Sequence, residues 1–366
     1  MADLASTAKR FPELTVRGAP RDMGRQIGDA VGDLVREFCD EALYFLNKTL
    51  SIDRGTAARI SHESLTHVSQ FAPHLVEELQ GVAEASVVSI ENLMLLQVRN
   101  QFHDAMAEET YGLQGCTALS IGASTMESGR GVVAQNWDAD PALDPYTIVL
   151  TRQPDAAPSY MSVTQAGLIS YIGMNTAGLA ACVNTLPAPA RDVGVPHYFS
   201  LRAMFEQRSL LSAVDVLASA HRAIPVNIMM TTPDGPANIE GYIDEVELLT
   251  DDSLLVHTNH CLCSDRTSIN DEYPELIQSV PRLQRMTQLL SELVANGKLT
   301  IQQVQLALAD HENYPQSICR HQNADAQHGF WSTVFSIVMD PTAGEMYVTR
   351  GNPCENRFEL YELLDY

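Results

Sequence analysis

Positive charge is scarce in the sequence, and long apolar runs are absent. The 366 residues include 23 Lys and Arg against 46 Asp and Glu, a formal net charge of −23 at pH 7. Nucleic acids and anionic membranes attract basic surfaces, so we expect neither as a partner. No run of about 18 apolar residues occurs, so no transmembrane helix is predicted. The first nine residues also lack a secretion signal's apolar core, and we expect a cytoplasmic protein.

Cysteine is too sparse and too irregularly spaced for a disulfide scaffold. There are seven Cys, an odd number, and no C-x-x-C pair, which fits a reducing compartment. Cys261 and Cys263 lie close to His257 and His260, so an uncleaved zinc- or ligand-binding protein remains an alternative. The His-x-x-x-His spacing of helical zinc sites is missing, however, and we expect no metal and no cofactor.

Apolar periodicity predicts an N-terminal helical part followed by strands. Helical spacing begins at Met23, and further helices are predicted at 57–70, from Pro73 and from Ser89. After Gly112 the pattern changes to short strands separated by helices. The predicted strands cover 116–121, 131–137, 147–151, 179–183, 226–231, 237–243, 253–258, 333–339 and 345–349, and the later helices cover 198–208, 210–222, 279–295 and 300–310. This order predicts α+β layers rather than a regular βαβ alternation.

The pair Gly115-Cys116 lies where the helical pattern gives way to strands. A glycine before the thiol allows a close or strained backbone approach. If the bond between the two residues were cut, Cys116 would carry a free α-amine with a pKa of about 7.7–8.0. A thiol nucleophile and its base would then belong to one residue. By itself, a Gly-Cys pair is more often part of buried structure than of a catalytic site.

Three further segments carry groups that such a thiol needs. Asp138 is the last residue of the segment Gln135–Asp138, and its carboxylate is suited to orient the new amine. Asn259 follows a predicted strand, and an amide is a good donor to an oxyanion. Arg320 is suited to bind the Asp138 carboxylate through two parallel hydrogen bonds. Each segment alone is also consistent with a polar turn or loop.

Together, these segments resemble the acyl-coenzyme A:6-aminopenicillanic acid acyltransferase family, also called the isopenicillin N acyltransferase-like proteins. The resemblance extends from about Arg17 to the end of the chain. Its motifs are Gly18-Ala-Pro-Arg-Asp-Met-Gly24 with Gln26-Ile27-Gly28, Gly115-Cys116-Thr117, Gln135-Asn136-Trp137-Asp138, Gly173–Gly178, His257–Leu262 and Asn313–Arg320.

The resemblance implies an N-terminal-nucleophile hydrolase fold, an α+β four-layer αββα sandwich. It also implies a precursor that cleaves itself between Gly115 and Cys116. Residues 1–115 would form a mostly helical light chain, and residues 116–366 a heavy chain that carries the nucleophile. The two chains would stay together as a heterodimer and form one domain.

The same resemblance implies a role for each site residue. Cys116 is the expected nucleophile, and Asp138 with Arg320 is the pair that supports it and its amine. Asn259 is the expected oxyanion donor, and Asn184 matches a second Asn position more loosely. The two histidines near Asn259 are expected to be structural, because an N-terminal amine removes the need for a His base.

The chemistry expected from these residues is hydrolysis of a C–N bond in an N-acyl amine or amino acid, through a Cys116 acyl-enzyme. The alternative is an acyl-coenzyme A-dependent N-acyltransferase. No coenzyme A site is recognisable, and a Gly-rich phosphate loop is absent. Residues 186–195 differ from the family pattern, which leaves the acyl group and the amine open. The expected partner is a small N-acyl substrate.

Overall fold

Two β-sheets lie at the centre of the structure, a computed structural model that describes residues 10–47, 52–102, 115–263, 265–272, 278–325 and 329–364. The strands are β1 (Glu13–Gly18), β2 (Gly115–Ile121), β3 (Val132–Ala139), β4 (Thr147–Pro154), β5 (Tyr160–Gln165), β6 (Ile172–Asn175), β7 (Ala180–Thr185), β8 (Val226–Thr232), β9 (Gly235–Gly241), β10 (Val246–Thr250), β11 (Leu254–His257), β12 (Ser332–Asp340), β13 (Glu345–Arg350) and β14 (Glu359–Glu362). The helices are α1 (Pro20–Asn47), α2 (Arg54–Phe71), α3 (Pro73–Ser86), α4 (Ile90–Val98), α5 (His197–Met204), α6 (Leu210–Ser219), α7 (Ile269–Glu272), α8 (Ser279–Ala295) and α9 (Ile301–Leu308).

The strands form an eight-stranded and a six-stranded sheet. Their orders are β1-β4-β5-β6-β7-β8-β9-β10 and β11-β2-β3-β12-β13-β14. Neighbouring strands are antiparallel except β1 and β4, which are parallel. Strands β2 and β3 pack against β7 and β8, so the sheets lie face to face. Every residue of β2 and β3 is buried, because these strands are covered on both sides.

Helices cover the outer face of each sheet. Helix α1 contacts β1 and β4, and α6 contacts β9 and β10, on the eight-stranded sheet. Helix α8 contacts β2 and β11, and α9 contacts β3 and β12, on the six-stranded sheet. These layers confirm the predicted αββα sandwich. Among the helices of the described ranges, none has the length and apolar character needed to cross a bilayer.

Most predicted elements are present, but the short buried strands β5 and β6 were not predicted. The N-terminal part was predicted as helical, but β1 precedes its first helix. Strands β10 and β14 are half-exposed edge strands, and such strands lack a continuous apolar signal. The predicted helices 198–208 and 210–222 end earlier, at Met204 and Ser219. Residues 103–114, where the helical pattern fades, lie outside the described residues.

Glycines bring α1 and α3 into direct backbone contact. A Cβ atom on Gly24 would lie 2.0 Å from the carbonyl oxygen of Glu78, and one on Gly81 would lie 2.2 Å from that of Arg21. Any larger residue would force the helices apart. Gly24 and Gly28 of the Gly18–Gly28 segment therefore serve helix packing.

A buried charge cluster joins this helical part to the strands. The Glu78 carboxylate on α3 accepts hydrogen bonds from Arg152 on β4 at 2.6 Å and from Arg202 on α5 at 3.2 Å. All three side chains are at most 1% exposed. A buried ion pair adds little stability compared with an apolar pair of the same size. Removing one partner, however, leaves the other as an uncompensated buried charge. The residues before the Gly115–Cys116 bond and those after it thus depend on each other for stability.

We expect Glu78→Gln to destabilise the protein by about 3–5 kcal/mol, because the buried Arg152 loses its counter-charge and the buried Arg202 keeps only Glu206, at 2.7 Å. The neighbouring Glu77 is 50% exposed and pairs with Arg21 at 2.8 Å, so Glu77→Gln should cost less than about 1 kcal/mol. Urea unfolding of both variants measures the difference. Equal unfolding midpoints for the two variants would contradict the dependence on the buried cluster.

Candidate active site

The Gly115–Cys116 peptide bond lies at the start of β2, in the interior of the six-stranded sheet. Gly115 is opposite Asp138 and Cys116 is opposite Trp137 on the antiparallel strand β3. Side chains alternate between the faces of a strand, and the Cys116 side chain packs in the core between the sheets. Cys116 is 1% exposed. The register therefore places Asp138 beside the Gly115–Cys116 bond, directly opposite Gly115.

Both polar groups of the Cys116 backbone are bound by side chains. Its N–H donates to Asn259 Oδ1 at 3.0 Å, and its carbonyl oxygen accepts from Arg282 Nη1 at 2.5 Å. Arg282 also donates to Asn259 Oδ1 at 2.7 Å and to Thr117 Oγ1 at 2.9 Å. Arg282 and Asn259 together fix the peptide that starts at Cys116.

The partners of Asn259 determine how its amide is oriented. Cys116 N–H and Arg282 are both donors, so they require the Asn259 oxygen. Nδ2 then donates to the carbonyl oxygen and Oγ1 of Thr185, at 3.1 and 3.0 Å. The expected oxyanion donor therefore presents its acceptor atom, not its NH₂ group, to Cys116.

Asp138 is fully buried, and its two carboxylate oxygens have different surroundings. Oδ1 accepts a hydrogen bond from Thr333 Oγ1 at 2.7 Å. Oδ2 is buried and has no hydrogen-bond partner in the described part of the chain. Burial raises the pKa of Asp138 to about 6, against the charges of Arg282 and Arg320 and the Thr333 hydrogen bond. This carboxyl group therefore titrates close to neutral pH.

The Cys116 thiol lies in an environment that disfavours the thiolate. Burial, and next the negative charge of Asp138, raise its pKa well above the usual range of a cysteine, although Arg282 acts in the opposite direction. The thiolate is the nucleophilic form of cysteine. In the uncleaved chain, attack by this thiol therefore requires a nearby proton acceptor.

Arg320 does not form the expected ion pair with Asp138 within 4.0 Å in the described residues. Thr333 connects them instead: its Oγ1 accepts from the Arg320 backbone N–H at 3.0 Å and donates to Asp138. The Arg320 side chain is buried, and its Nε and Nη1 have no hydrogen-bond partner in the described ranges. The predicted bidentate pairing is therefore wrong for this geometry, and Arg320 acts on Asp138 through its charge rather than through a hydrogen bond.

Asn184 belongs to a buried chain of amides rather than to the immediate surroundings of Cys116. Its Oδ1 accepts from Gln135 Nε2 at 2.7 Å, and its Nδ2 donates to Asn227 Oδ1 at 3.0 Å. The following residue, Thr185, is the one that contacts Asn259. Asn184 therefore connects the two sheets beneath the site.

The two histidines near Asn259 are bound by other groups. His257 Nε2 lies 2.9 Å from Glu240 Oε1, and His260 Nδ1 lies 2.6 Å from Ser279 Oγ. Burial alone would raise the pKa of Glu240, but hydrogen bonding and charge from His257 lower it to about 2. Within the described residues, His257, His260, Cys261 and Cys263 do not form a group of convergent metal ligands.

Arg282 and Thr333 are the contacts that the sequence patterns did not identify. Arg282 does carry a signal, because it lies in register with Met286 and Leu290 on the buried face of α8. A cation in an apolar row at helical spacing indicates a buried partner. Thr333 carries no comparable signal, since threonine is common in strands.

Comparison with known proteins relates this chain to a family named for acyl transfer. Residues 125–355 match the family described as acyl-coenzyme A:6-aminopenicillanic acid acyl-transferase. The chain is 27% identical over 345 residues to the acyl-coenzyme A:6-aminopenicillanic-acid-acyltransferase 40 kDa form of Emericella nidulans, covering 93% of this chain and 92% of that protein.

Two solved structures show a weaker likeness. A variant of conjugated bile acid hydrolase from Clostridium perfringens matches 68% of this chain and 97% of its own, with 11% identity and a TM-score of 0.49. Penicillin V acylase from Agrobacterium tumefaciens matches 64% of this chain and 82% of its own, with 14% identity and a TM-score of 0.44.

Proposed function

Because the chain belongs to the acyl-coenzyme A:6-aminopenicillanic acid acyltransferase family, we propose that it is a self-cleaving amidohydrolase with Cys116 as its nucleophile. One observation carries the proposal. The buried Cys116 backbone is held by Asn259 and Arg282, and it lies opposite the strand segment that carries Asp138. The substrate class is an N-acyl amine or amino acid.

In the proposed self-cleavage, Cys116 Sγ attacks the Gly115 carbonyl carbon. Asp138, with its pKa of about 6, accepts the thiol proton, and the leaving Cys116 nitrogen receives a proton. The C–N bond breaks as the S–C bond forms, giving a thioester. Water then hydrolyses the thioester to a Gly115 carboxylate and a free Cys116 thiol. The products are the light chain 1–115 and the heavy chain 116–366.

In the proposed mature enzyme, the Cys116 α-amine is the base. An α-amine has a pKa of about 7.7–8.0, which suits proton transfer at neutral pH. The hydrogen bond between Cys116 N and Asn259 Oδ1 supports Asn259 as the group that orients this amine. The thiolate attacks the substrate's acyl carbon, the amine protonates the leaving nitrogen, and water clears the acyl-enzyme.

We propose that the buried polar atoms of the site that lack a partner bind the polar groups of the substrate. Arg320 Nε and Nη1 are buried donors, and Asp138 Oδ2 is a buried acceptor, with no partner in the described ranges. Buried polar atoms are normally paired. A substrate carbonyl or carboxylate oxygen would satisfy Arg320, and an amide N–H would satisfy Asp138. Asn259 remains the proposed oxyanion donor on the family resemblance alone, and Asn184 is only a loosely matched second Asn position.

Arg282 is proposed as a positioning residue, and Arg282→Met tests it. Methionine preserves much of the length but removes three hydrogen bonds to Cys116, Thr117 and Asn259. Hydrogen bonds to charged groups contribute about 1.5–3 kcal/mol, so we expect kcat to fall by about 10–100-fold with KM little changed. The exposed Arg208→Met is the matched control and should retain full kcat. A rise in KM at constant kcat would assign Arg282 to substrate binding instead.

An N-acyltransferase using acyl-coenzyme A is the second candidate function. It is favoured by the Emericella nidulans relative, whose name states that activity. Against it, the net charge of −23 disfavours accumulation of a polyanionic acyl donor near the protein.

Product analysis distinguishes the two functions. Purified protein is incubated with a panel of N-acyl amino acids in ¹⁸O-labelled water, with and without an acceptor amine, and separately with acyl-coenzyme A and the amine. Hydrolysis is supported by labelled free acid that forms at the same rate without the amine. Transfer is supported by a new amide that requires acyl-coenzyme A, and that result would overturn the hydrolase proposal.

A further inference from the structure

Four potential metal ligands converge at a place that the proposed acyl chemistry does not use. They are His311 after α9, Cys319 and His321 in the segment before β12, and Cys354 after β13. Their ligand atoms all lie within 4.8 Å of one another. We propose that these four side chains form a structural Zn²⁺ site of the Cys₂His₂ type.

The distances between the ligand atoms fit a tetrahedral zinc ion. Zn–N bonds of about 2.0–2.1 Å and Zn–S bonds of about 2.3 Å place tetrahedral ligands roughly 3.3–3.8 Å apart. The two sulfurs are 3.6 Å apart, and His321 Nε2 lies 3.7 Å from Cys319 Sγ and 3.3 Å from Cys354 Sγ. His311 Nε2 and His321 Nε2 are 3.0 Å apart, slightly closer than the ideal edge.

Hydrogen bonding alone accounts poorly for this arrangement. His321 Nε2 faces His311 Nε2 and both sulfurs. A single ring nitrogen has one proton or one lone pair, so it cannot satisfy three neighbours at once. The sulfurs are free thiols, well beyond the roughly 2.0 Å of a disulfide bond. A cation between the four atoms satisfies all of them together.

Neighbouring polar groups support the metal ligands. Asn352 Nδ2 donates to Cys319 Sγ at 3.5 Å, as expected beside a metal-bound thiolate. Glu355 Oε1 lies 3.9 Å from His321 Nδ1, the ring nitrogen opposite the proposed metal. At that distance the carboxylate does not hydrogen-bond the ring, but it lies on the side from which a carboxylate supports a metal-bound imidazole. The site thus has outer partners as well as four ligands.

The four protein ligands leave no open coordination position, which is typical of a structural rather than a catalytic zinc. The metal would join the segment before β12 to the turn after β13. Arg320 lies between two of the ligands, and Asn352 donates to its carbonyl oxygen at 2.6 Å. The expectation of no metal rested on the residues around Cys261. Three of the ligands proposed here lie within residues 311–321, but the fourth, Cys354, is distant in the sequence, and their spacing matches no standard zinc motif.

The test is the metal content of the full-length protein, purified without a metal-affinity step and measured by mass spectrometry. We expect about one zinc per chain in the wild type. The zinc content should be at least tenfold lower in Cys319→Ser and in Cys354→Ser, and the second of these alters an exposed residue. Cys261→Ser and Cys263→Ser are matched controls and should retain the metal. Zinc that is retained by both Cys319→Ser and Cys354→Ser would overturn the proposal.

Cobalt replacement provides a test that needs no variant. Wild-type protein that is stripped with a chelator and loaded with Co²⁺ should show the intense visible bands and the sulfur-to-metal charge-transfer band of a tetrahedral thiolate site. Absence of zinc together with absence of these bands would overturn the proposal, as would a Cys319–Cys354 disulfide in freshly purified protein. Neither readout depends on acyl chemistry, so this proposal and the proposed function can fail separately.

Discussion

Cys116→Ala should remain a single chain of 40.2 kDa, whereas the wild type should separate into two. Dividing that mass in proportion to 115 and 251 residues gives species of about 12.6 and 27.6 kDa. Alanine removes the only atom proposed to attack the Gly115 carbonyl, so both cleavage and amidase turnover should fall to background. Intact-mass spectrometry of freshly purified protein measures the first effect, and product formation measures the second.

Two further variants make this experiment specific. Cys182 on β7 is also a buried free thiol, so Cys182→Ala should cleave as the wild type does. Cys116→Ser should cleave slowly, because a hydroxyl loses its proton less readily than a thiol. A cleaved Cys116→Ala protein would end the proposal that this residue cuts the chain. A wild type that stays whole would direct attention to what the intact site binds.

Asp138→Asn should combine a large loss of activity with a gain in stability. Removing a group that transfers protons costs about 10²–10⁴-fold in rate. Burial raises the pKa of Asp138 from 3.8 to about 6. Between these values the folded chain keeps a proton that the unfolded chain has released, so stability falls as pH rises through this window. Above pH 6 the buried carboxylate lowers the free energy of unfolding by about 3 kcal/mol. Asparagine carries no charge and avoids this loss.

The stability difference should therefore depend on pH. Urea unfolding should show Asp138→Asn to be more stable than the wild type at pH 7–8, with the difference shrinking towards pH 4. Asp29→Asn, at an exposed position on α1, is the control and should change neither activity nor the pH profile. A constant difference across this pH range would show that ionisation of Asp138 is not its cause.

The sequence predicted several core elements because their signals are local, although it missed the buried strands β5 and β6. The apolar row of α1 and the buried runs of β2 and β3 are visible in short windows. The half-exposed strands β10 and β14 have no such row. Their pairing depends on neighbours that are distant in the sequence, and no local pattern describes those neighbours.

The site was only partly predictable, because its contacts are made by side chains from separate elements. Motifs indicated Cys116, Asp138 and Asn259, and strand register places Asp138 opposite Gly115, next to the Gly115–Cys116 bond. The orientation of the Asn259 amide depends on two donors and one acceptor from different elements. Asp138 is hydrogen-bonded by Thr333 and not by Arg320. This choice of partner depends on the register between β3 and β12. Neither relation can be read from spacing.

The position of β1 bears on how the protein could be produced from two genes. This strand is the outermost of the eight-stranded sheet and covers β4. The same N-terminal segment also reaches the other sheet, where the backbone N–H of Phe11 donates to Tyr361 at 2.8 Å. A polypeptide of residues 116–366 synthesised alone would expose β4 as an open edge, which favours aggregation. Co-expression with residues 1–115 should restore solubility, so the N-terminal piece would serve as an obligate folding partner.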